Sequence, residues 1–156
     1  MVHWGSFLKT SQIIGVVLII LEVAGVGLFL LSGQTIFSLI GTVVPKGVAP
    51  NVSVDEHAQV VTIMFTFTPH NTGYLAARMN LSFGLTLTDG SFTVRNATSV
   101  YLTPGAQQNV DLSIKVPVSK LQEYVDAKGT LDIYTSIITL NDLVRIDYNS
   151  KAEGGG

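Results

Sequence analysis

Two hydrophobic periodicities divide this chain. From Ile13 to Leu31 the sequence runs IIGVVLIILEVAGVGLFLL, apolar on every side of a helix and interrupted by one charge. At 1.5 Å per residue that stretch is about 28 Å of helix, close to the roughly 30 Å hydrocarbon core of a bilayer. Buried helices of globular proteins are rarely apolar all round for so long. The pattern predicts a transmembrane helix over residues 12–32 behind a short N-terminal segment, 1–11. The run exceeds the apolar stretch of a secretory signal and no small-residue cleavage site comes promptly after it, so an anchor is expected rather than a removed leader. A second apolar run, Ile36–Val44, is too short to span alone. It is either the first strand of the C-terminal domain or a continuation of the helix to about residue 43. The favoured reading is the long helix, leaving the membrane and entering a protein contact. Pro45-Lys46-Gly47 and Ala49-Pro50 stop regular structure, which makes 33–50 a helix extension and linker.

Beyond residue 51 the period becomes two. In 58–68, Val61, Ile63, Phe65 and Phe67 fall on one face and Thr62, Met64, Thr66 and Thr68 on the other. In 79–88, Met79, Leu81, Phe83, Leu85 and Leu87 alternate with small and polar residues, and Asp89-Gly90 then marks a hairpin turn. Further strands are predicted at 91–96, 99–102, 110–116, 131–138 and 143–148, with Pro104-Gly105 as another turn. Residues 118–126 break the alternation. Val118, Leu121, Tyr124 and Val125 share a helical face, and Ser119 with Gln122 has capping-box spacing. The expected architecture is mainly β: an N-terminal transmembrane helix, then an antiparallel immunoglobulin-like sandwich with one short helix, spanning 51–149. A polar, glycine-rich flexible tail, 150–156, would complete the chain.

Charge sharpens the division. Of nine basic and eleven acidic residues in 156, only Lys9 and Glu22 lie in the first 44. Lys9 precedes the span and no basic residue occurs after it until Lys46, so the positive-inside rule puts the N-terminus in the cytoplasm and the domain outside. Trp4 and Phe7 would anchor the cytoplasmic interface. The sequons at Asn51, Asn80 and Asn96 agree with an extracytoplasmic domain and are possible N-glycosylation sites. Glu22 lies near the middle of the span, where an acid costs about 2.5–3.5 kcal/mol on insertion scales and so calls for a partner. Gly15, Ala24, Gly25 and Gly27 would allow another helix to approach closely.

Chemistry is thin. There is no cysteine, and the net charge of −2 offers no footprint for nucleic acid. His57 comes after Asp55-Glu56 in what reads as a solvated loop, and His70 reads as a turn residue. Tyr101, Tyr134 and Tyr148 read as core or rim, and the scattered carboxylates as strand ends. No nucleophile elbow, phosphate loop, dinucleotide fingerprint or zinc-helix motif occurs. Neither a catalytic site nor a cofactor or metal site is expected.

The run Phe67-Thr-Pro-His-Asn71-Thr-Gly73, the alternating strand through Leu87, the Asp89-Gly90 turn, Leu102-Thr-Pro-Gly105, the strand Val110–Val116 and the helix Ser119–Val125 together resemble the type 2 late-embryogenesis-abundant (WHy) domain over residues 52–148. Asn71 stands near that family's Asn-Pro turn, although here the proline precedes and a histidine intervenes. The resemblance implies a seven-stranded immunoglobulin-like sandwich with one helix behind a single anchor, and no enzymatic activity. Two functions are weighed. One is a structural or accessory subunit of a membrane or cell-surface assembly, touching lipid and other subunits through the helix 12–44, a second copy of the chain among them. The other is a pilin-type filament subunit assembled through its N-terminal helix, for which Lys9-Thr10-Ser11 is a poor processing site.

Overall fold

The computed structural model describes residues 4–43, 50–87, 89–126 and 129–153. Helix α1 runs unbroken from Trp4 to Val43. After it come β1 (Asn51–Asp55), β2 (Val60–Phe67), β3 (Ala77–Thr86), β4 (Thr93–Leu102), β5 (Val110–Pro117), α2 (Val118–Asp126), β6 (Thr130–Thr139) and β7 (Val144–Glu153). The fold class read from the sequence is the one observed: mainly β, two antiparallel sheets, one long apolar N-terminal helix and one short helix.

Past the apolar run α1 accommodates its polar residues by turning their hydroxyls back onto its own carbonyls. Thr35 Oγ1 donates to the Leu31 carbonyl (3.0 Å), Ser38 Oγ to Thr35 (2.8 Å) and Thr42 Oγ1 to Leu39 (2.8 Å). The helical reading of Ile36–Val43 therefore holds, residues 33–43 of the expected extension and linker are helix, and residues 44–49 lie outside the described residues.

The sheets have orders β1-β2-β5 and β4-β3-β6-β7, antiparallel throughout. Alternation lays one face of each against the other. Phe65, Phe67, Leu112, Ile114 and Val116 meet Met79, Leu81, Phe83, Leu85 and Val100, all buried. The Phe65 and Phe83 rings pack edge-on at 4.6 Å between centroids. Asp55 accepts from the His57 and Ala58 amides, both at 3.0 Å, and so closes the β1–β2 hairpin. Gly90 takes the left-handed φ of 70° that the β3–β4 turn requires.

Several expectations need correction. Residues 51–55, where the sequence predicts no strand and Asp55 reads as loop, form β1, exposed on both faces; at five residues its polar–apolar alternation is short. The segments 91–96 and 99–102 are one strand, β4. Its inward positions include Asn96 and Thr98 because they lie at the seam between the sheets, where Asn96 Nδ2 donates to the Ser113 carbonyl at 2.8 Å. The capping box is not made: Gln122 reaches forward to Asp126. Ser150–Glu153, assigned to a flexible tail, complete β7 opposite Thr130–Ile133, since ladder hydrogen bonds are indifferent to side chains; residues 154–156 lie outside the described residues. Of the tyrosines read as core or rim, Tyr101 and Tyr148 are exposed.

Ile36 and Leu39 of α1 belong to the sandwich core, 1% and 0% exposed, while Phe37 between them is 77% exposed. Truncating Leu39 to alanine should lower unfolding stability by about 2–5 kcal/mol, whereas Phe37→Ala should stay within about 0.5 kcal/mol. Thermal unfolding of the detergent-solubilised chain, tracked by far-ultraviolet circular dichroism, measures both.

Candidate functional site

The feature that sets this molecule apart is the way its helix enters the domain. From Gln12 to Leu31 the side chains of α1 stand exposed or half-exposed; from Ser32 onward one face is buried. Ser32, Thr35, Ile36 and Leu39, spaced three and four apart, are at most 1% exposed. Ser32 Oγ hydrogen-bonds Thr139 Oγ1 at the end of β6. Thr35 Oγ1 accepts from the Leu75 amide at 3.2 Å, and Thr42 Oγ1 from the His70 amide at 3.4 Å. Helix, 70–75 loop and β6 end thus form one joint.

Gly73 permits the joint. A β-carbon there would stand 2.4 Å from the Thr35 α-carbon, closer than van der Waals contact allows. Asn71, fully buried, fixes the loop that carries it. Its Nδ2 donates to the carbonyls of Leu75 (2.8 Å) and Leu102 (2.9 Å), and its Oδ1 accepts from the Gly73 amide (3.0 Å). The Asn71 main chain adds bonds to Ala106 and Gly105. One side chain therefore ties the β2–β3 connection to the β4–β5 turn and holds both beneath α1. His70, read as a turn residue, bridges to Gln107 in the same joint. Beside it the β6–β7 turn passes through three left-handed residues, Leu140, Asn141 and Asp142 (φ 52°, 51° and 72°).

The residues singled out in the apolar run all lie on its free half. At 100° per residue Gly15, Glu22 and Gly25 fall within roughly 80° of one another, whereas Ala24 and Gly27 face elsewhere. The helix thus gathers three of the five on one side and separates the other two. A β-carbon at Gly15, Gly25 or Gly27 would meet nothing within 4 Å. Among the described residues no ion pair reaches Glu22. The expected partner contact along 12–44 must also be narrowed: the buried face of 32–39 is taken by the chain's own domain. Of the sequons, Asn51 is exposed, Asn80 is half-buried on the central strand β3, and Asn96 is engaged with Ser113.

A second cluster is not legible along the sequence. On the outer face of the four-stranded sheet, Tyr134 Oη donates to Asp147 Oδ1 (2.7 Å), Arg145 Nε to the Asp147 carboxylate (2.9 and 3.0 Å), and Arg145 Nη2 to Tyr134 Oη (2.8 Å). Its one local signal is the i, i+2 spacing of Arg145 and Asp147 in a strand. The Tyr134 hydroxyl foremost, with Ser136 and Arg145 beside it, holds the Asp147 carboxyl down at about 2. The network faces solvent, the Arg145 and Asp147 side chains each being about half exposed. His57 sits in the exposed turn capped by Asp55, and among the described residues no three metal-capable side chains converge.

The class this geometry defines is a β-sandwich with an apolar helix set rigidly into one end. No protein-family model matches the chain, and no curated protein matches it in sequence. Among solved structures it is similar to an ApaA-like protein from Bordetella pertussis, at 16% identity and TM-score 0.44 over 70% of this chain and 89% of that one. It is also similar to a protein from Archaeoglobus fulgidus, at 11% identity and TM-score 0.44 over 69% and 94% of the two chains. Neither likeness bears on what the chain does.

The joint and the cluster can each be tested. Gly73→Ala should cost about 1–3 kcal/mol through forced displacement of α1 and should expose the Leu31–Ser32 region to limited proteolysis; an unchanged melting temperature and digestion pattern would refute the close approach. For Asp147 the folded value, about 2, lies below the ordinary aspartate value of 3.8. The contribution to stability is therefore present above about pH 4 and lost as pH falls toward 2. Carboxyl titration by NMR should give a midpoint near 2 that rises in Tyr134→Phe.

Proposed function

We propose that this chain is a non-catalytic, membrane-anchored subunit of a larger membrane or cell-surface assembly. In this reading residues 12–31 lie in the bilayer, the N-terminal segment is cytoplasmic and the sandwich is extracytoplasmic. The observation that carries it is the division of one continuous helix at Leu31–Ser32. On one side a stretch long and apolar enough to cross a membrane is uncovered by its own domain; on the other the same helix is part of the core. An exposed apolar surface of that extent needs lipid or neighbouring helices to cover it. Because no flexible linker intervenes, the orientation of the span fixes the orientation of the sandwich. That coupling suits a subunit that holds a domain at a set angle better than a lone module on a tether.

Glu22 supports the assembly half of the reading. It lies ten residues before Ser32, about 15 Å along the helix, on the side shared by Gly15 and Gly25. An acid at that depth is stabilised by a polar or cationic group on an adjacent helix. The resemblance to the WHy domain implies only that no enzymatic activity is expected. A second reading, the pilin-type filament subunit, draws support from the same division of α1. A free apolar half and a half packed on a β-domain would let free halves bundle along a filament axis.

Four measurements test these readings. The chain should resist alkaline carbonate extraction, and a cysteine introduced at Asn51, in a chain that has none, should react with impermeant maleimide from outside intact cells. Extraction as a soluble protein would refute the anchor. On native electrophoresis in mild detergent the protein should migrate with partners, and Glu22→Leu should release it; a lone monomer would refute the subunit reading. Intact mass decides the runner-up: a chain retaining Met1 excludes pilin processing, and removal of residues 1–11 would favour the filament.

A further inference from the structure

β7 is the last strand of its sheet. β6 pairs with one side of it along all ten residues, and among the described residues no strand pairs with the other. Every β7 residue except Val144 is exposed. Ile146 and Tyr148, on the inward side, are 44% and 48% exposed. The edge is long and regular, and its charges are ordered.

We propose that β7 pairs antiparallel with β7 of a second copy of this chain, joining two four-stranded sheets into one across a twofold axis at Asn149. Such an axis stands normal to the sheet and keeps each face on its own side, so it must run through a residue opposite itself. That restricts the registers. An axis at Asp147 or Lys151 sets a charge against its own copy. An axis at Tyr148 opposes Arg145 to Lys151, and one at Ser150 opposes Asp147 to Glu153. An axis at Ile146 overlaps only Val144–Tyr148, and one at Ala152 only the last three residues. At Asn149 the whole of Arg145–Glu153 is paired: Arg145 faces Glu153, Asp147 faces Lys151, and on the other face Ile146 meets Ala152 and Tyr148 meets Ser150. Charge complementarity thus selects both the partner and one register. The pairing requires only the β7 edge and is independent of whether residues 12–31 lie in a bilayer.

The absence of cysteine permits a register-specific test on the full-length chain in detergent. Directly opposed residues have α-carbons about 4.5 or 5.5 Å apart, inside the range a disulfide spans. Under mild oxidation Asn149→Cys should form a disulfide dimer. Asp147→Cys alone should not, its copy lying about 13 Å away, but it should cross-link to co-expressed Lys151→Cys. Lys151→Glu should raise the dimer dissociation constant about tenfold by sedimentation, and adding Asp147→Lys should restore it; cooperative thermal melts, even at a lowered midpoint for the Asp147 variants, establish that the variants fold. A monomeric parent chain, or cross-links that ignore this pattern, would overturn the proposal and leave the charges as guards against edge aggregation.

Discussion

Where Thr35 of α1 meets Gly73, two main chains come together more closely than any residue with a side chain would permit. A β-carbon at Gly73 would stand 2.4 Å from the Thr35 α-carbon. The rest of the molecule is arranged around that approach. Asn71 holds Gly73 in place through three side-chain hydrogen bonds to the loop and to β4. The approach in turn brings Ile36 and Leu39 into the gap between the sheets, where they complete a core that would otherwise be open at this end. A buried asparagine is a costly residue unless its amide is satisfied on both sides, and here it is. The helix is thus an integral part of the domain rather than an appendage.

That integration gives the free half of α1 its meaning. Its apolar side chains from Ile13 to Leu30 stand uncovered on a rod about 30 Å long whose base cannot swivel. Under the proposed membrane reading, the sandwich is held at one angle to the bilayer and presents the same surfaces to any partner. Those surfaces differ in character. The outer face of the four-stranded sheet carries the Tyr134, Arg145 and Asp147 network, while among the described residues no strand pairs with the β7 edge beside it.

Much of this is legible in the residues. The alternation of Val61–Phe67, Met79–Leu87 and Val110–Val116 names the inward faces correctly, because those strands are half-buried and a half-buried strand must alternate. The elements that pattern misses carry little of it. The end of β7 lacks a buried face and β4 exchanges apolar for polar residues at the seam, so neither carries the period-two signal, and β1 alternates over only five residues, too few to stand out. Asn71 and Gly73 stand out along the chain only as parts of a resemblance. The clusters that join Tyr134 to Asp147 and Ser32 to Thr139 are invisible there, since their members lie 13 and 107 positions apart.

The sequence by itself determined that an apolar helix precedes a β-sandwich with a short helix inserted, because periodicity and charge distribution are local properties that a chain displays along its length. It also determined where the apolar run ends. The tertiary structure alone decided that the continued helix packs into its own domain's core, which face of it is consumed there, and, among the described residues, which strand is left with an open edge. Those outcomes depend on close approach between segments far apart in the chain, and close approach is governed by the shape of both partners at once.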